Sequence, residues 1–224
     1  MRVPKIVRTH EKPLDKELLN RVLRNVSPKL QVVILVTTSS GLRIGELVQI
    51  KTSDIDFTSN PTKILVRGST TKGKIARETF ITQEATIALK DYLKSNFSWI
   101  ENKPEFDVYI FGKTTNKGKK PKNSGHNPYA AKMALQASPL YYLRKVPALQ
   151  TKNENGYYSI HFHAFRKFCR TTIGNVCGRD FAEALLGHAF YMDTYYQLSE
   201  NQKRDLYLKA ESRLTITKTD GSPE

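Results

Sequence analysis

The sequence is short of acidic residues, and this shortage narrows the choice of partners. Its 21 Asp and Glu face 36 Lys and Arg, which gives a net charge of +15 at pH 7. An excess of this size attracts polyanions, and nucleic acid is the commonest of them. Solubility alone is a weaker explanation, because acidic residues provide it with less non-specific binding.

Cysteines and long apolar runs are also scarce. Cys169 and Cys177 are the only two cysteines, too few for a disulfide framework. No apolar run approaches the roughly 20 residues that a membrane span needs, and the basic N-terminus lacks the apolar core of a signal peptide. We therefore expect an intracellular protein, in the cytoplasm or nucleoid of its host cell, with no membrane partner.

Clusters of metal ligands are missing from the sequence as well. There is no dense group of carboxylates of the kind that two-metal nucleases use, and no zinc-type spacing of Cys and His. The stretch "GSTTKGK" lacks the Gly-Lys-Ser/Thr ending of a phosphate-binding loop. The sequence therefore offers no candidate metal or phosphate-loop site.

The length of 224 residues suits one generous domain or two small ones. Residues 1–13 carry two prolines and predict an extended arm or linker, and residues 217–224 predict a tail. Residues 112–128 are rich in Gly, Pro and Lys without an apolar face, which predicts a basic flexible loop. We take residues 14–216 as the folded domain.

Apolar spacing predicts a mainly helical protein with a small antiparallel sheet, of the α+β class. Two strands, "TKILVRG" and "ARETFI", are joined by the basic hairpin "STTKGK", and "VYIF" and "LTI" are candidates for further short strands. The predicted helices are "LDKELLNRVLRNV", "KLQVVILVTTSS", "LRIGELVQI", "QEATIALKDYLKSN", "YAAKMALQA" and most of the chain after Tyr158.

Arg43 occupies an unusually apolar neighbourhood, between the end of one predicted helix and the start of the next. An arginine in such a place needs a partner, and Glu46 follows three residues later on the same helical face. Glu46 either orients Arg43 for a function or forms an internal ion pair with it. The local sequence does not separate these two interpretations.

Further cationic and proton-carrying residues complete a set. His163 and Arg166 share one helical face, and His188 follows Gly187 at a predicted helix boundary. Lys72 or Lys74 comes from the basic hairpin, and the phenols of Tyr195 and Tyr196 follow His188. Arginine forks match the oxygens of a phosphodiester under attack, and a tyrosine can be the covalent nucleophile.

Four stretches together resemble the tyrosine recombinase, or phage-type integrase, family, with the nearest look to archaeal and archaeal-virus members. "TTSSGLRIGELVQIKTSDID" is similar to the first box of that family, "HFHAFRKF" to its second and "LLGHAFYMDTYYQLS" to its third. "STTKGKIARETFI" resembles the hairpin that carries the catalytic lysine. The four occur in the family's order, and the resemblance as a whole covers most of residues 14–216.

The resemblance implies a catalytic-domain fold, a helical bundle with a small antiparallel sheet. It implies a site-specific recombinase that cleaves and rejoins duplex DNA through a 3′-phosphotyrosyl bond, without metal or ATP. Its site residues would be Arg43, Lys72, His163, Arg166, His188 and a tyrosine, with Glu46 in support. Double-stranded DNA is the implied partner, and we expect a monomer in solution and a homotetramer on DNA.

Two departures from the family pattern leave alternatives open. The family places its tyrosine slightly further from the third-box histidine than either Tyr195 or Tyr196 stands from His188. Tyr196 needs the smaller deletion and is the favoured nucleophile, whereas the resemblance of "YYQLSE" to the family favours Tyr195. We also expect the family's N-terminal core-binding domain to be absent from this chain, which is then a truncated catalytic fragment or a reduced enzyme.

Lysines outside the site are expected to follow the DNA backbone. They are Lys74, Lys117, Lys119, Lys120 and Lys122. Two other functions remain open: a type IB topoisomerase-like enzyme with the same chemistry, and a catalytically inactive DNA-binding relative.

Overall fold

The computed structural model describes residues 13–97, 107–112, 127–152, 156, 158–187 and 197–217. Helices dominate these residues, as predicted, and they surround one apolar core. The helices are α1 (Lys16–Arg24), α2 (Pro28–Ser40), α3 (Ile44–Leu47), α4 (Gln83–Phe97), α5 (Pro128–Leu143), α6 (Phe162–Cys177), α7 (Arg179–Leu186) and α8 (Glu200–Leu214). The strands are β1 (Ile55–Asp56), β2 (Thr62–Val66) and β3 (Arg77–Ile81).

The strands form one antiparallel sheet in the order β1-β2-β3. In β2, Thr62, Ile64 and Val66 are buried while the residues between them face outward, the alternation expected of a sheet with one covered face. Ile64 lies opposite Thr79 of β3. The predicted hairpin of β2 and β3 is confirmed, and a short 3-10 turn, Gly68–Thr70, begins its connection.

Two further predicted strands are wrong. Of "VYIF", only Tyr109 pairs, in an isolated bridge with Lys51. In "LTI", Leu214 ends α8, and the following backbone turns to the start of α4, where the Glu84 carboxylate accepts hydrogen bonds from the N–H groups of Ile216 and Thr217, both at 2.8 Å. A carboxylate therefore takes the donors that a strand partner would have needed.

Helix α2 is the centre of the core. Its residues from Val32 to Ser40 are all buried, and it packs against α4 and α6. Its last turn is polar, yet each buried hydroxyl bonds back to the carbonyl four residues earlier, as Thr37 does to Val33 at 2.7 Å. Gly41 ends the helix with φ 64°, where a Cβ would lie only 3.0 Å from the Leu186 side chain.

The carbonyls at the end of α2 serve as acceptors for three other elements. The Ser39 carbonyl accepts from the Tyr207 hydroxyl of α8 at 3.0 Å and from the Cys169 thiol of α6, and the Ser40 carbonyl accepts from Thr79 of β3 at 2.8 Å. The last carbonyls of a helix have no partner within the helix, and these donors from other elements satisfy them. We call this group the α2 carbonyl hub, which also includes the Gly41 carbonyl described below.

The remaining helices follow from local sequence signals. Thr82 caps α4 by accepting from the Ala85 N–H at 3.3 Å, and His161 caps α6 by accepting from the Ala164 N–H at 3.2 Å. Helix α5 runs further than predicted and contains Pro139. Both cysteines are free thiols, as expected. Among the described residues, no helix is long and apolar enough to cross a membrane.

Candidate active site

A cleft opens between the first predicted box, the hairpin and the start of α6. Its volume is about 730 Å³. The cleft brings together four of the predicted catalytic residues, which are far apart in sequence: Arg43, Lys72, His163 and Arg166, with Glu46 beside them. Leu42, Ile44, Gly45, Gln49, Thr70, Thr71, Lys132, Gln136, His161 and Phe162 complete its lining.

Arg43 is held at the start of α3 by Glu46. The Glu46 carboxylate accepts from the Arg43 guanidinium at 3.0 Å and from the Arg43 backbone N–H at 2.8 Å. Glu46 is only 2 % exposed, whereas the Arg43 side chain is 36 % exposed. The ion pair therefore fixes one side of Arg43 and leaves another side facing the cleft.

The same carboxylate also binds Arg77 of β3. Arg77 donates to Glu46 through both terminal nitrogens, at 3.1 and 2.8 Å, in a forked pair. Burial raises the pKa of Glu46, but the hydrogen bonds and charge of Arg77 and the hydrogen bonds of Arg43 outweigh it, so the pKa lies below its usual value. Glu46 is thus ionised at neutral pH and shared by two guanidiniums.

Arg166 reaches the cleft from within the core. Its residue is 4 % exposed, and its guanidinium donates to the Gly41 carbonyl of the α2 carbonyl hub and to the Leu186 carbonyl at 2.8 Å. Burial, together with nearby Arg43, lowers the pKa of Arg166 to about 10. Arg166 therefore remains cationic at neutral pH, stabilised partly by the negative end of two helices.

We call Arg43, Glu46 and Arg166 the floor of the cleft, and Lys72 and His163 its rim. Arg43, Arg166 and nearby Arg77 present three guanidiniums around the single Glu46 carboxylate. The floor therefore has a surplus of positive charge, which an anion would relieve. Forked donors in fixed positions suit the oxygens of a phosphate group.

The rim residues differ from the floor in exposure. Lys72 and His163 are both exposed, on the hairpin and in the first turn of α6. The His163 ring stacks on that of His161, with 6.3 Å between the ring centroids. Lys74, the alternative hairpin lysine, is exposed and adopts a positive φ of 54°, and it does not contribute to the cleft lining.

Three residues at or beside the site were not predicted. Lys132 and Gln136 stand one turn apart on α5 and line the cleft. Their spacing on one face of a helix is visible in the sequence, but only the fold shows that this face lines the same cleft as Arg43. Arg77 was also missed as a partner of Glu46, because the pair lies 31 residues apart in sequence.

His188, Tyr195, Tyr196 and the lysines at 117, 119, 120 and 122 lie outside the described residues. The described structure stops at Gly187, directly after Leu186, whose carbonyl accepts a hydrogen bond from Arg166. It returns at Gln197, which with Leu198 borders a groove beside Arg77 and Leu185. In the part of the chain that the structure describes, no group of three His, Cys, Asp or Glu side chains is placed to hold a metal ion.

Comparisons with known proteins identify the family. Residues 12–201 match the model of the phage integrase family, and the chain belongs to that family. A curated relative, the tyrosine recombinase XerA of Saccharolobus solfataricus, is 31 % identical over 93 residues, covering 41 % of this chain and 31 % of the relative. This match thus spans under a third of the relative's length.

Solved structures show the same fold. A crystal structure of XerA recombinase has a TM-score of 0.58 at 22 % identity, covering 93 % of this chain and 68 % of the other. A λ integrase fragment, crystallised as a dimer bound to a core site, gives 0.54 at 16 % identity, covering 86 % and 63 %. A XerH recombinase bound to its difH substrate gives 0.54 at 15 %, covering 89 % and 52 %. The predicted tyrosine recombinase catalytic-domain fold is confirmed.

Proposed function

We propose that the chain is the catalytic domain of a site-specific DNA recombinase of the integrase type. It cleaves and rejoins duplex DNA through a 3′-phosphotyrosyl intermediate. The observation that carries this proposal is the cleft in which Arg43 and Arg166 converge around a positive floor, with Lys72 and His163 at the rim. Membership of the phage integrase family supports the same assignment.

In the proposed cleavage step, a tyrosine oxygen attacks the scissile phosphorus and forms a phosphotyrosyl bond to the 3′ end. The bond from phosphorus to the 5′ oxygen breaks, and this oxygen leaves as a hydroxyl. Arg43 and Arg166 bind the non-bridging oxygens, where negative charge grows in the transition state. The reverse step, with a 5′-hydroxyl of a second strand as nucleophile, restores a phosphodiester without ATP.

Proton transfer is assigned to the rim. We assign Lys72, on the hairpin, to give a proton to the leaving 5′ oxygen, and His163 to accept the proton that the tyrosine hydroxyl loses as it attacks. Because the arginines and Lys72 supply the positive charge at the phosphate, the proposed reaction has no metal or cofactor. Lys74 is assigned to the DNA backbone instead, since it does not line the cleft.

His188 and the nucleophile are assigned from their neighbours in sequence. His188 is two positions after Leu186 in the sequence, and the Leu186 carbonyl binds Arg166. Tyr196, the favoured nucleophile, directly precedes Gln197, which borders the groove beside Arg77. Tyr195 remains the alternative, one residue further from Gln197 in the sequence.

Double-stranded DNA is the proposed partner, with a monomer in solution and a homotetramer on DNA. The net charge of +15 supports a polyanionic partner. Two of the similar structures, those of λ integrase and XerH, are bound to DNA.

The test begins with selection of a target sequence from random duplexes. A duplex of that sequence, nicked close to the cleavage site, loses the short 5′-hydroxyl strand after cleavage and so traps the intermediate. We expect a protein–DNA adduct on a denaturing gel that Tyr196→Phe abolishes and Tyr195→Phe retains. The opposite pattern assigns the nucleophile to Tyr195, and retention of the adduct in both variants contradicts the tyrosine assignment.

Other outcomes separate the competing functions. Absence of any adduct with the wild-type protein on the selected DNA indicates a catalytically inactive DNA-binding relative. Relaxation of a supercoiled plasmid that lacks the target site indicates topoisomerase-like activity. Exchange of strands between two target-bearing duplexes is the result expected of the recombinase.

A further inference from the structure

We propose that Arg77 is a positioning residue for both floor arginines: it holds Glu46 against Arg43 and secures the end of α7 beside Arg166. This inference rests on the proposed function for its meaning in catalysis. Arg77 does not line the cleft, so it acts through the groups that do.

The first link is the forked pair with Glu46. Both carboxylate oxygens accept from Arg77, at 3.1 and 2.8 Å, while the same two oxygens accept from the Arg43 side chain and backbone. The Arg77 side chain is 10 % exposed, against 36 % for Arg43. A carboxylate with four such bonds has one orientation, and its orientation sets that of the Arg43 guanidinium.

The second link runs to the end of α7. The Arg77 Nε donates to the Leu185 carbonyl at 3.1 Å, and the next carbonyl, of Leu186, accepts from Arg166 at 2.8 Å. Gly187 lies directly against Arg77, because a Cβ there would approach the Arg77 Cδ to 2.7 Å. Adjacent carbonyls of one helix end therefore join Arg77 to Arg166.

The positive charge of Arg77 also helps to keep Glu46 ionised. The guanidiniums that face Glu46 within the described structure come from three elements: Arg43 before α3, Arg77 of β3 and Arg166 of α6. Loss of Arg77 removes two hydrogen bonds and a positive charge from the carboxylate, so burial raises the pKa of Glu46 with less opposition. Protonated Glu46 would hold Arg43 less firmly.

A simple internal ion pair is the competing interpretation. It predicts a loss of stability from Arg77→Gln with no change in the chemical step of the folded protein. The positioning role predicts that single-turnover cleavage at saturating DNA falls by about 100-fold, the size expected of a misplacement near 1 Å. Affinity for DNA should change little, because Arg77 does not face the cleft.

The experiment measures single-turnover adduct formation and DNA affinity for the wild type, Arg77→Gln, Arg77→Lys and a matched control, Arg170→Gln. Arg170 also pairs with a buried glutamate, Glu183, but on the side of α6 where α7 packs, outside the cleft lining. We expect Arg170→Gln to lower the melting temperature and keep the wild-type cleavage rate. Arg77→Lys retains the charge but not the fork, and its rate should fall between those of the wild type and Arg77→Gln.

The pH profile adds a readout that a merely structural role would not move. In Arg77→Gln the cleavage deficit should be deeper at mildly acidic pH and shrink as pH rises and Glu46 ionises. Equal rates for the wild type and Arg77→Gln at every pH, with both proteins folded, would overturn the inference. So would a crystal structure of Arg77→Gln in which the Arg43 and Arg166 guanidiniums keep their positions.

The two proposals fail in different ways. A wild-type protein that forms no adduct contradicts the proposed function, and the crystal structure of the variant still tests the positioning of Arg43. A wild-type protein that forms the adduct together with an unimpaired Arg77→Gln contradicts the positioning role alone.

Discussion

The floor and the rim of the cleft are built in opposite ways. The floor arginines bind a buried carboxylate and helix-end carbonyls, and Arg166 is itself 4 % exposed. Lys72 and His163 at the rim are exposed on a hairpin and on the first turn of a helix. Under the proposed function, this difference means that the groups assigned to charge stabilisation are part of the folded core, whereas the groups assigned to proton transfer are exposed to solvent.

This division has a physical reason. Fixed donors stabilise a transition state most when they need not reorganise as charge develops, and that favours groups locked by the core. A proton donor must be replenished after each cleavage, which favours contact with water. Changes at the floor should therefore affect stability as well as cleavage, and changes at the rim should affect cleavage alone.

The largest expected effect is on stability, from Glu46→Gln. This change leaves the nearly buried Arg77 without a charged partner, which we expect to lower the free energy of unfolding by about 3–5 kcal/mol near neutral pH. Since folding lowers the pKa of Glu46, its contribution is complete above the ordinary value of 4.5 and is lost as pH falls through the folded value.

Urea unfolding from about pH 7 down to about pH 3 measures this difference. The gap between wild type and Glu46→Gln should narrow as pH falls, and taking the difference cancels the other carboxylates. A gap independent of pH would contradict the role given to the ionised Glu46.

Next comes Arg43→Ala, which removes a floor donor and leaves Glu46 paired with Arg77. We expect single-turnover cleavage to fall by about 10²–10³-fold, as for removal of one preorganised transition-state donor. Arg43→Lys should recover only part of this loss, because an ammonium lacks the fork. Full activity of either variant would show that the surplus charge of the floor does not reach the phosphate.

Lys72→Ala should lower cleavage by about 10²-fold, the lower range for loss of a general acid, without loss of stability. A substrate with sulfur in place of the leaving 5′ oxygen needs no proton donor, since a thiolate leaves readily. With this substrate, Lys72→Ala should recover to near the wild-type rate while Arg43→Ala remains impaired. Recovery by Lys74→Ala instead would move the acid to the other hairpin lysine.

The smallest effect on chemistry is expected from the lysines at 117, 119, 120 and 122. Their replacement by glutamine should weaken DNA binding and reduce its salt dependence, by about 0.9 in slope for each phosphate that the protein no longer neutralises. Cleavage at saturating DNA should not change. Titrations at several salt concentrations, paired with single-turnover rates, measure both quantities.

The floor residues could be predicted from the sequence, whereas the residues that support or surround them could not. Arg43, Glu46 and Arg166 stand in short local patterns, and the cleft brings them together with Lys72 and His163. Arg77 escaped notice because its partner is on another element, and no periodicity links β3 to α3. Lys132 and Gln136 escaped because a helical face shows that it is polar, not what it faces.

The fold was predictable where apolar spacing is regular and failed where polar contacts decide. The buried helix α2 and the hairpin of β2 and β3 follow from their patterns. The segment after Leu214 reads as a strand but is held by Glu84, a residue 132 positions away from Ile216. A distant carboxylate that accepts hydrogen bonds from the backbone N–H groups of a segment cannot be predicted from the sequence of that segment.

The α2 carbonyl hub has a consequence for how the site tolerates genetic change. Its acceptors are main-chain oxygens of Ser39, Ser40 and Gly41, and replacing a side chain does not remove a main-chain oxygen. Gly41 is the restricted position of the three, because its φ of 64° and the Leu186 side chain leave little room for a Cβ. Only the donors on the surrounding elements are open to loss by point mutation. As descendants of this chain diverge, the side chains that donate to these carbonyls should therefore change before the carbonyls themselves are lost.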